Sequence, residues 1–202
     1  MNCDLIAPHY WWIEKLGMGR TLERRRRWFL PEIGYTRRAL VLGDGDGRFL
    51  SELLRHNSVV RADYVDLSRR MLELARLRAG TERVSYLQSD ALAAEFPHNE
   101  YDLIATHFFF DCFNASDLDT VIQRISAGAA RPGARWIVSE FCVTSLLARL
   151  LVSALYLFFR ITTGLKTRGL VDHRPILRSQ GFRLASASHS RGGLVVSELW
   201  ER

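Results

Sequence analysis

The sequence is poor in cysteine, with only Cys3, Cys112 and Cys142. Their number is odd and none stands in a CxxC pair, which excludes a disulfide framework and a cysteine zinc site and predicts reduced thiols in the cytoplasm. The N-terminus lacks the basic start, apolar run and small-residue cleavage site of a secretory signal, which points to the same compartment. No run reaches the roughly 20 apolar residues that a membrane-spanning helix needs. The nearest approach, Leu146–Phe159, contains Arg149 and is followed by Arg160. No internal repeat or low-complexity linker interrupts the chain, so solenoids and tethered modules are excluded too.

What is present is an ordinary globular composition: 48% hydrophobic and 25% charged residues in a chain of 202, the length of a single domain over 1–202. The net charge of +6 includes the run Arg24–Arg27, followed by Trp28 and Phe29, which invites a nucleic-acid reading. Leu22, Phe29 and Ile33 recur at helical spacing, however, so the arginines are expected on the wet side of an amphipathic helix. No aromatic RNA-stacking signature accompanies them, and no nucleic-acid partner is expected.

From residue 38 onwards, short apolar runs alternate with amphipathic ones. Strands are predicted at 38–43, 61–66, 84–88, 101–107 and 136–141, with helices after the first two and between the last two. Such alternation predicts a parallel sheet with right-handed crossovers. Leu118, Val121, Ile122, Ile125 and Ala129 form one helical stripe behind a capping box of Ser116 and Asp119, stopped by Arg131-Pro132-Gly133. Phe182–His189 and Leu194–Trp200 are separated by only four residues, too few for a crossover, so they pair antiparallel. The expected fold is α/β: a Rossmann-like, seven-stranded mixed sheet with helices on both faces and a C-terminal antiparallel hairpin.

The first strand runs into Gly43-Asp44-Gly45-Asp46-Gly47, a turn whose missing side chains allow tight bending and close approach of a ligand. A dinucleotide fingerprint GxGxxG needs a glycine at 48, where Arg48 stands, so the nicotinamide reading recedes. The second strand ends in Val65-Asp66-Leu67-Ser68 and the third leads into Ser89-Asp90-Ala91. A carboxylate at a strand's carboxyl end suits ribose hydroxyls or a base amino group, although Asp66 also fits a helix-capping role beside Ser68. All three sites share one sheet edge.

The runs Leu42–Phe49, Val65–Arg76 and Gln88–Ala91, continued by Glu100–Ala105 and Arg131–Trp136, resemble class I S-adenosylmethionine-dependent methyltransferases, small-molecule type, similar to those of ubiquinone and menaquinone biosynthesis. The resemblance implies S-adenosyl-L-methionine as cofactor. By it Gly43, Gly45 and Gly47 lie against the methionine and ribose portion, Asp66 binds the ribose hydroxyls, Leu67 packs on the adenine and Asp90 reads its amino group. Asp44, Met71, Ala91 and His107 complete the cofactor surroundings, and Tyr10 closes over them from a helical lid within 1–35. Val41 departs from the pattern, since the family places an acid two residues before the first glycine. Asp44 or Asp46 is the available substitute.

Methyl transfer from a sulfonium is a direct displacement, so alignment and exclusion of water carry it. His107 and Asp111, in Thr106-His-Phe-Phe-Phe-Asp-Cys-Phe113, are the catalytic candidates as general bases. Their simpler roles are packing for His107 and capping or substrate anchoring for Asp111. The apolar helical insertion at 143–172 is expected to cover an apolar acceptor pocket or to join a homodimer, with peripheral membrane contact as the other reading. The acceptor is therefore expected to be a small, apolar or aromatic molecule. The rival function is S-adenosylmethionine binding without methyl transfer.

Overall fold

A computed structural model describes residues 20–143 and 169–202, with Leu150, Val152 and Ser153 between them. The first element is a short helix, α1 (Thr21–Arg26), followed by a 3₁₀ turn at Leu30–Glu32. Then come β1 (Arg38–Leu42), α2 (Arg48–His56), β2 (Arg61–Asp66), α3 (Arg69–Ala79), β3 (Val84–Gln88) and β4 (Tyr101–His107). A 3₁₀ turn at Phe110–Cys112, α4 (Ala115–Arg124) and a π turn at Ile125–Ala129 lead to β5 (Ala130–Phe141). The chain closes with α5 (Arg174–Ser179), β6 (Arg183–His189) and β7 (Val195–Glu201).

The seven strands run in the order β3-β2-β1-β4-β5-β7-β6. The first five are parallel and β7 is antiparallel to both β5 and β6, as the short link at 190–193 requires. Both faces of β1 are covered, which is why it is continuously apolar. Ala39 and Val41 face Phe49, Leu50 and Leu53 of α2 and Ala75 of α3. Leu40 and Leu42 face Leu118, Val121 and Ile122 of α4 and Leu177 of α5. Among the described residues, no helix is long and apolar enough to cross a membrane.

Four local expectations change. The cap of α4 is Asn114, whose extended backbone lets its side chain accept from Asp117 N–H, rather than the Ser116 and Asp119 pair. Arg131-Pro132-Gly133 lies inside β5, where the register to β4 shifts, and does not separate helix from strand. Helix α5 falls in a stretch assigned no element from sequence. The arginine run is not a solvated face: Arg25 and Arg26 are buried. The carbonyl of Arg25 accepts from the hydroxyls of Ser139 and Ser197 at 3.1 and 2.9 Å, and its guanidinium donates to Ser188 at 2.9 Å. The segment thus buries Arg25 and Arg26 in addition to the expected stripe of Leu22, Phe29 and Ile33, while Arg24 stays exposed.

Gly47 serves helix packing directly. Its φ is +75°, and a Cβ there would stand 2.7 Å from the Cβ and 2.9 Å from the Cα of Ala75, so α2 and α3 approach as closely as glycine permits. Gly47→Ala is expected to destabilise the fold by about 1–3 kcal/mol through left-handed strain and this collision. Urea denaturation checks it; an unchanged midpoint would mean that the helices move apart at no cost.

Candidate functional site

Strand β1 delivers its chain into the glycine turn, where Gly43, Gly45 and Gly47 have φ of +63°, +66° and +75°. The turn is tied down from several sides. Gly43 N–H donates to the Val65 carbonyl at 3.1 Å, and the buried Tyr64 hydroxyl donates to the Gly45 carbonyl at 2.6 Å. Asp44 Oδ2 accepts from Leu50 N–H at 3.1 Å in the first turn of α2, a stabilising place for a carboxylate. Its other oxygen faces Arg26 Nε at 3.9 Å. Asp46 accepts from Arg48 at 3.0 Å and from Arg78 at 2.8 Å. Both acids thus hold the turn, while Val41 is buried in the core beneath it.

Asp66 and Asp90 leave neighbouring strands on the same edge, because Asp66 pairs in register with Gln88. Asp66 is half-buried and one of its oxygens accepts from Ser68 N–H at 2.8 Å. Ser68 caps α3 by accepting from Met71 N–H at 3.2 Å, so the capping role falls mainly to the serine. Leu67 is half-buried beside them, and its carbonyl accepts from Gln88. Asp90, which is exposed, turns the chain by accepting from Leu92 N–H at 3.0 Å; Ala91 and Met71 are buried behind the edge. Gly43, Asp44, Gly45, Asp66, Leu67 and Asp90 are therefore gathered at the carboxyl ends of β1, β2 and β3. Tyr10 and most of the 143–172 insertion lie outside the described residues.

At the end of β4 the His107 ring is buried and sits edge-on to Phe49 at 4.4 Å. Neither ring nitrogen has a hydrogen-bond partner among the described residues. Burial and the nearby Arg26 charge hold its pKa well below the usual histidine range, so the imidazole is neutral. Phe108 then takes a left-handed φ of +54° and donates its N–H to the Ser139 carbonyl at 2.7 Å. Its ring lies between Phe141 and the Arg26 guanidinium. The ring of Phe109 covers Gly43 so closely that a Cβ there would collide with it.

Two acids follow. Glu140, buried at the end of β5, accepts from the N–H groups of Phe109 and Phe110 at 2.9 Å each. Burial pushes its carboxyl well above the usual range, and the neighbouring Asp111 adds to this. Asp111 is itself pushed up to about 7 by burial. Sequence reasoning missed Glu140 and Arg26. The available signal for Glu140 was an acid inside the apolar run Ile137–Phe141, and for Arg26 the carboxylate of Asp44 it had to meet. It also missed Glu198, which is fully buried and accepts from His173 at 2.8 Å, Arg174 at 2.7 Å and Trp200 at 2.9 Å.

A sheet of this order, with its glycine turn and paired strand-end acids, has the Rossmann-like fold of methyltransferases. The profile of a methyltransferase domain family matches residues 39–133. No curated protein matches the chain significantly. Among solved structures, the chain is similar to an S-adenosylmethionine-dependent methyltransferase from Archaeoglobus fulgidus, with a TM-score of 0.73 and 16% identity over 96% of this chain and 100% of that one. It is similar to the N-methyltransferase NodS from Bradyrhizobium japonicum in complex with S-adenosyl-L-homocysteine, with a TM-score of 0.67 and 14% identity over 90% and 88%. It is similar also to an O-methyltransferase family protein from Burkholderia thailandensis, with a TM-score of 0.67 and 16% identity over 90% and 58%.

The Glu198 cluster yields a pH prediction. Burial alone would raise this carboxyl, but the hydrogen bonds from His173 and Arg174 outweigh it and hold the pKa at about 2. A depressed folded pKa contributes stability above the unfolded value, and that stability is lost as pH falls through the folded value. Glu198→Gln is expected to cost up to about 3 kcal/mol at pH 7, with the gap to the parent narrowing from about pH 5 towards 2. Chemical denaturation across that range checks it; a gap independent of pH would show that the cluster contributes by packing alone.

Proposed function

We propose that the protein is an S-adenosylmethionine-dependent methyltransferase of the cytoplasm that acts on a small, largely apolar or aromatic acceptor. The observation that carries the reading is the convergence of the glycine turn with two strand-end carboxylates, the half-buried Asp66 and the exposed Asp90, on one sheet edge. Capping alone does not call for that arrangement, since Ser68 already caps α3. The residues fit the cofactor: Gly45 offers backbone without a side chain, Asp66 accepts from ribose hydroxyls, and Asp90 accepts from the adenine amino group, while the space over Gly43 is taken by the Phe109 ring. Leu67 and Ala91 supply apolar surface for the ring. The buried Arg26, opposite Asp44, brings positive charge towards the methionine end.

The bound cofactor supplies an electrophilic methyl group on a sulfonium. The chain has to align the acceptor, exclude water and receive a proton where the acceptor loses one. Asp111 is the residue for the last task, because its pKa of about 7 leaves it ionised in part at neutral pH. His107, neutral and sealed against Phe49, serves as a wall. The aromatic side chains at 108–110 and 113 favour an apolar acceptor. The whole chain acts as one unit in this reading, with the Tyr10 segment closing over the cofactor and the 143–172 insertion over the acceptor or against a second copy.

Asp66→Ala is expected to weaken S-adenosylhomocysteine binding about 10- to 100-fold, the equivalent of a charged hydrogen-bonding partner. Isothermal titration calorimetry measures it, and equal affinities in parent and variant would remove Asp66 from the site. Methyl transfer to a phenol or quinol panel is expected to rise with pH through about 7 as Asp111 loses its proton. Asp111→Asn should abolish that limb and lower kcat about 10²- to 10⁴-fold; an identical pH profile in the variant would assign the proton to another acceptor.

A further inference from the structure

Glu140 is the buried acid that the cofactor reading leaves without a task. Its Oε1 takes both the Phe109 and the Phe110 N–H, and its Oε2 has no hydrogen-bond partner among the described residues. With Phe108 N–H held by the Ser139 carbonyl, three consecutive amides of the rim are fastened to the end of β5. The charged groups facing Glu140 are Asp111 from the rim turn and Glu198 from β7. The Arg174 guanidinium of α5 and the His173 ring at its N-cap are directed to Glu198. Among the described residues, a carboxylate in that position would be a buried charge facing two other acids without a cation of its own, which costs several kcal/mol and is relieved by taking up a proton.

Resting on the methyltransferase reading, we propose that Glu140 is the positioning residue of the acceptor side: it stands uncharged, fixes the Phe109 and Phe110 backbone through Oε1, and leaves Asp111 as the member of the pair that receives the acceptor's proton. An uncharged acid accepts with its carbonyl oxygen as an amide does. Glutamine is therefore a faithful substitute, and a side chain of equal length without polar atoms is not. A carboxylate would behave oppositely, since its replacement by glutamine removes a negative neighbour and lets Asp111 ionise more easily.

The experiment uses the full chain without cofactor, so that its outcome is separate from the outcome of the cofactor titrations. The carboxyl carbon of Asp111 is followed by NMR against pH in the parent, Glu140→Gln and Glu140→Met, with Asp111→Asn giving the assignment. Amide exchange at Phe109 and Phe110 is measured in the same samples. In E140Q the Asp111 midpoint should stay within about 0.5 pH unit of the parent and both amides should remain protected, whereas E140M should exchange them at least about tenfold faster. A fall of the Asp111 midpoint by about one unit or more in E140Q would show that Glu140 is ionised and overturn the proposal. So would unchanged protection in E140M. If E140M fails to fold, loss of amide protection in E140Q overturns the proposal, and retained protection with an unmoved midpoint supports it. If the carboxyl results hold while S-adenosylhomocysteine does not bind, the positioning device stands and the methyltransferase reading falls.

Discussion

Strand β1 lies between β2 and β4, and the rest of the site depends on that placement. On one side the chain continues outwards to β3; on the other it returns to β4 and β5. The connections therefore part in opposite directions and leave the carboxyl end of β1 uncovered, the place where open α/β sheets receive ligands. Register does the rest. Leu42 stands beside Val65 and Thr106, so Gly43, Asp66 and His107, one residue further along each strand, arrive at one level. A slip of one residue would exchange the two faces, carrying Val41 to the α4 side and Leu40 and Leu42 to the more tightly approached α2 side. The alternation of Ala39 and Val41 with Leu40 and Leu42 between two separate apolar clusters is what forbids that slip.

Above that edge the protein buries several acids, and their fates differ although their burial does not. Glu198 and Glu140 are both almost wholly hidden. Burial drives each towards the uncharged form, and the partners decide the result. Glu198 receives hydrogen bonds from an arginine, a histidine and an indole and is held at about 2. Glu140 receives two backbone N–H groups and faces further acids, and it moves the other way. Asp44 is buried too, with Arg26 opposite and a hydrogen bond from the start of α2. The edge thus separates acids that lock the scaffold from acids left to respond to protons, and the second kind stands where an acceptor would meet the methyl group.

Much of this was legible in the sequence, and the reasons are local. Strands β2, β3 and β4 fall where apolar runs and turn residues place them; β4, covered on both faces, has little choice of residue, whereas β3 is a largely exposed edge strand. The hairpin followed from a link too short for a crossover. The Gly43–Gly47 turn, Asp66 and Asp90 were legible because each stands at or just past the carboxyl end of a predicted strand. What escaped notice depends on contacts remote in sequence. Arg25 and Arg26 looked solvated until Ser139, Ser188, Ser197 and Asp44 were found around them, residues up to 172 positions away. Asn114 competed with Ser116 as a cap, and only backbone geometry distinguishes them. Glu140 looked like one polar residue in an apolar strand, and its meaning lies in amides of the preceding strand's exit.

Those amides bear on how an acceptor would be selected. The similar solved structures include an N-methyltransferase and a member of an O-methyltransferase family, so the shared sheet does not choose the methylated atom. The choice must come from segments laid over the sheet, and the described one is the rim at 108–113. It begins with a phenylalanine in left-handed geometry, a conformation that costs about 1–3 kcal/mol and persists only where its surroundings over-determine it. Here they do, since three successive N–H groups are held by Ser139 and Glu140. A rim fixed in this way presents Asp111 and Cys112 on a short turn and lays the Phe109 ring across Gly43. In the proposed reading, selectivity would rest on the shape of rigid aromatic walls, with the Asp111 carboxyl group to tell an acceptor that releases a proton from one that does not.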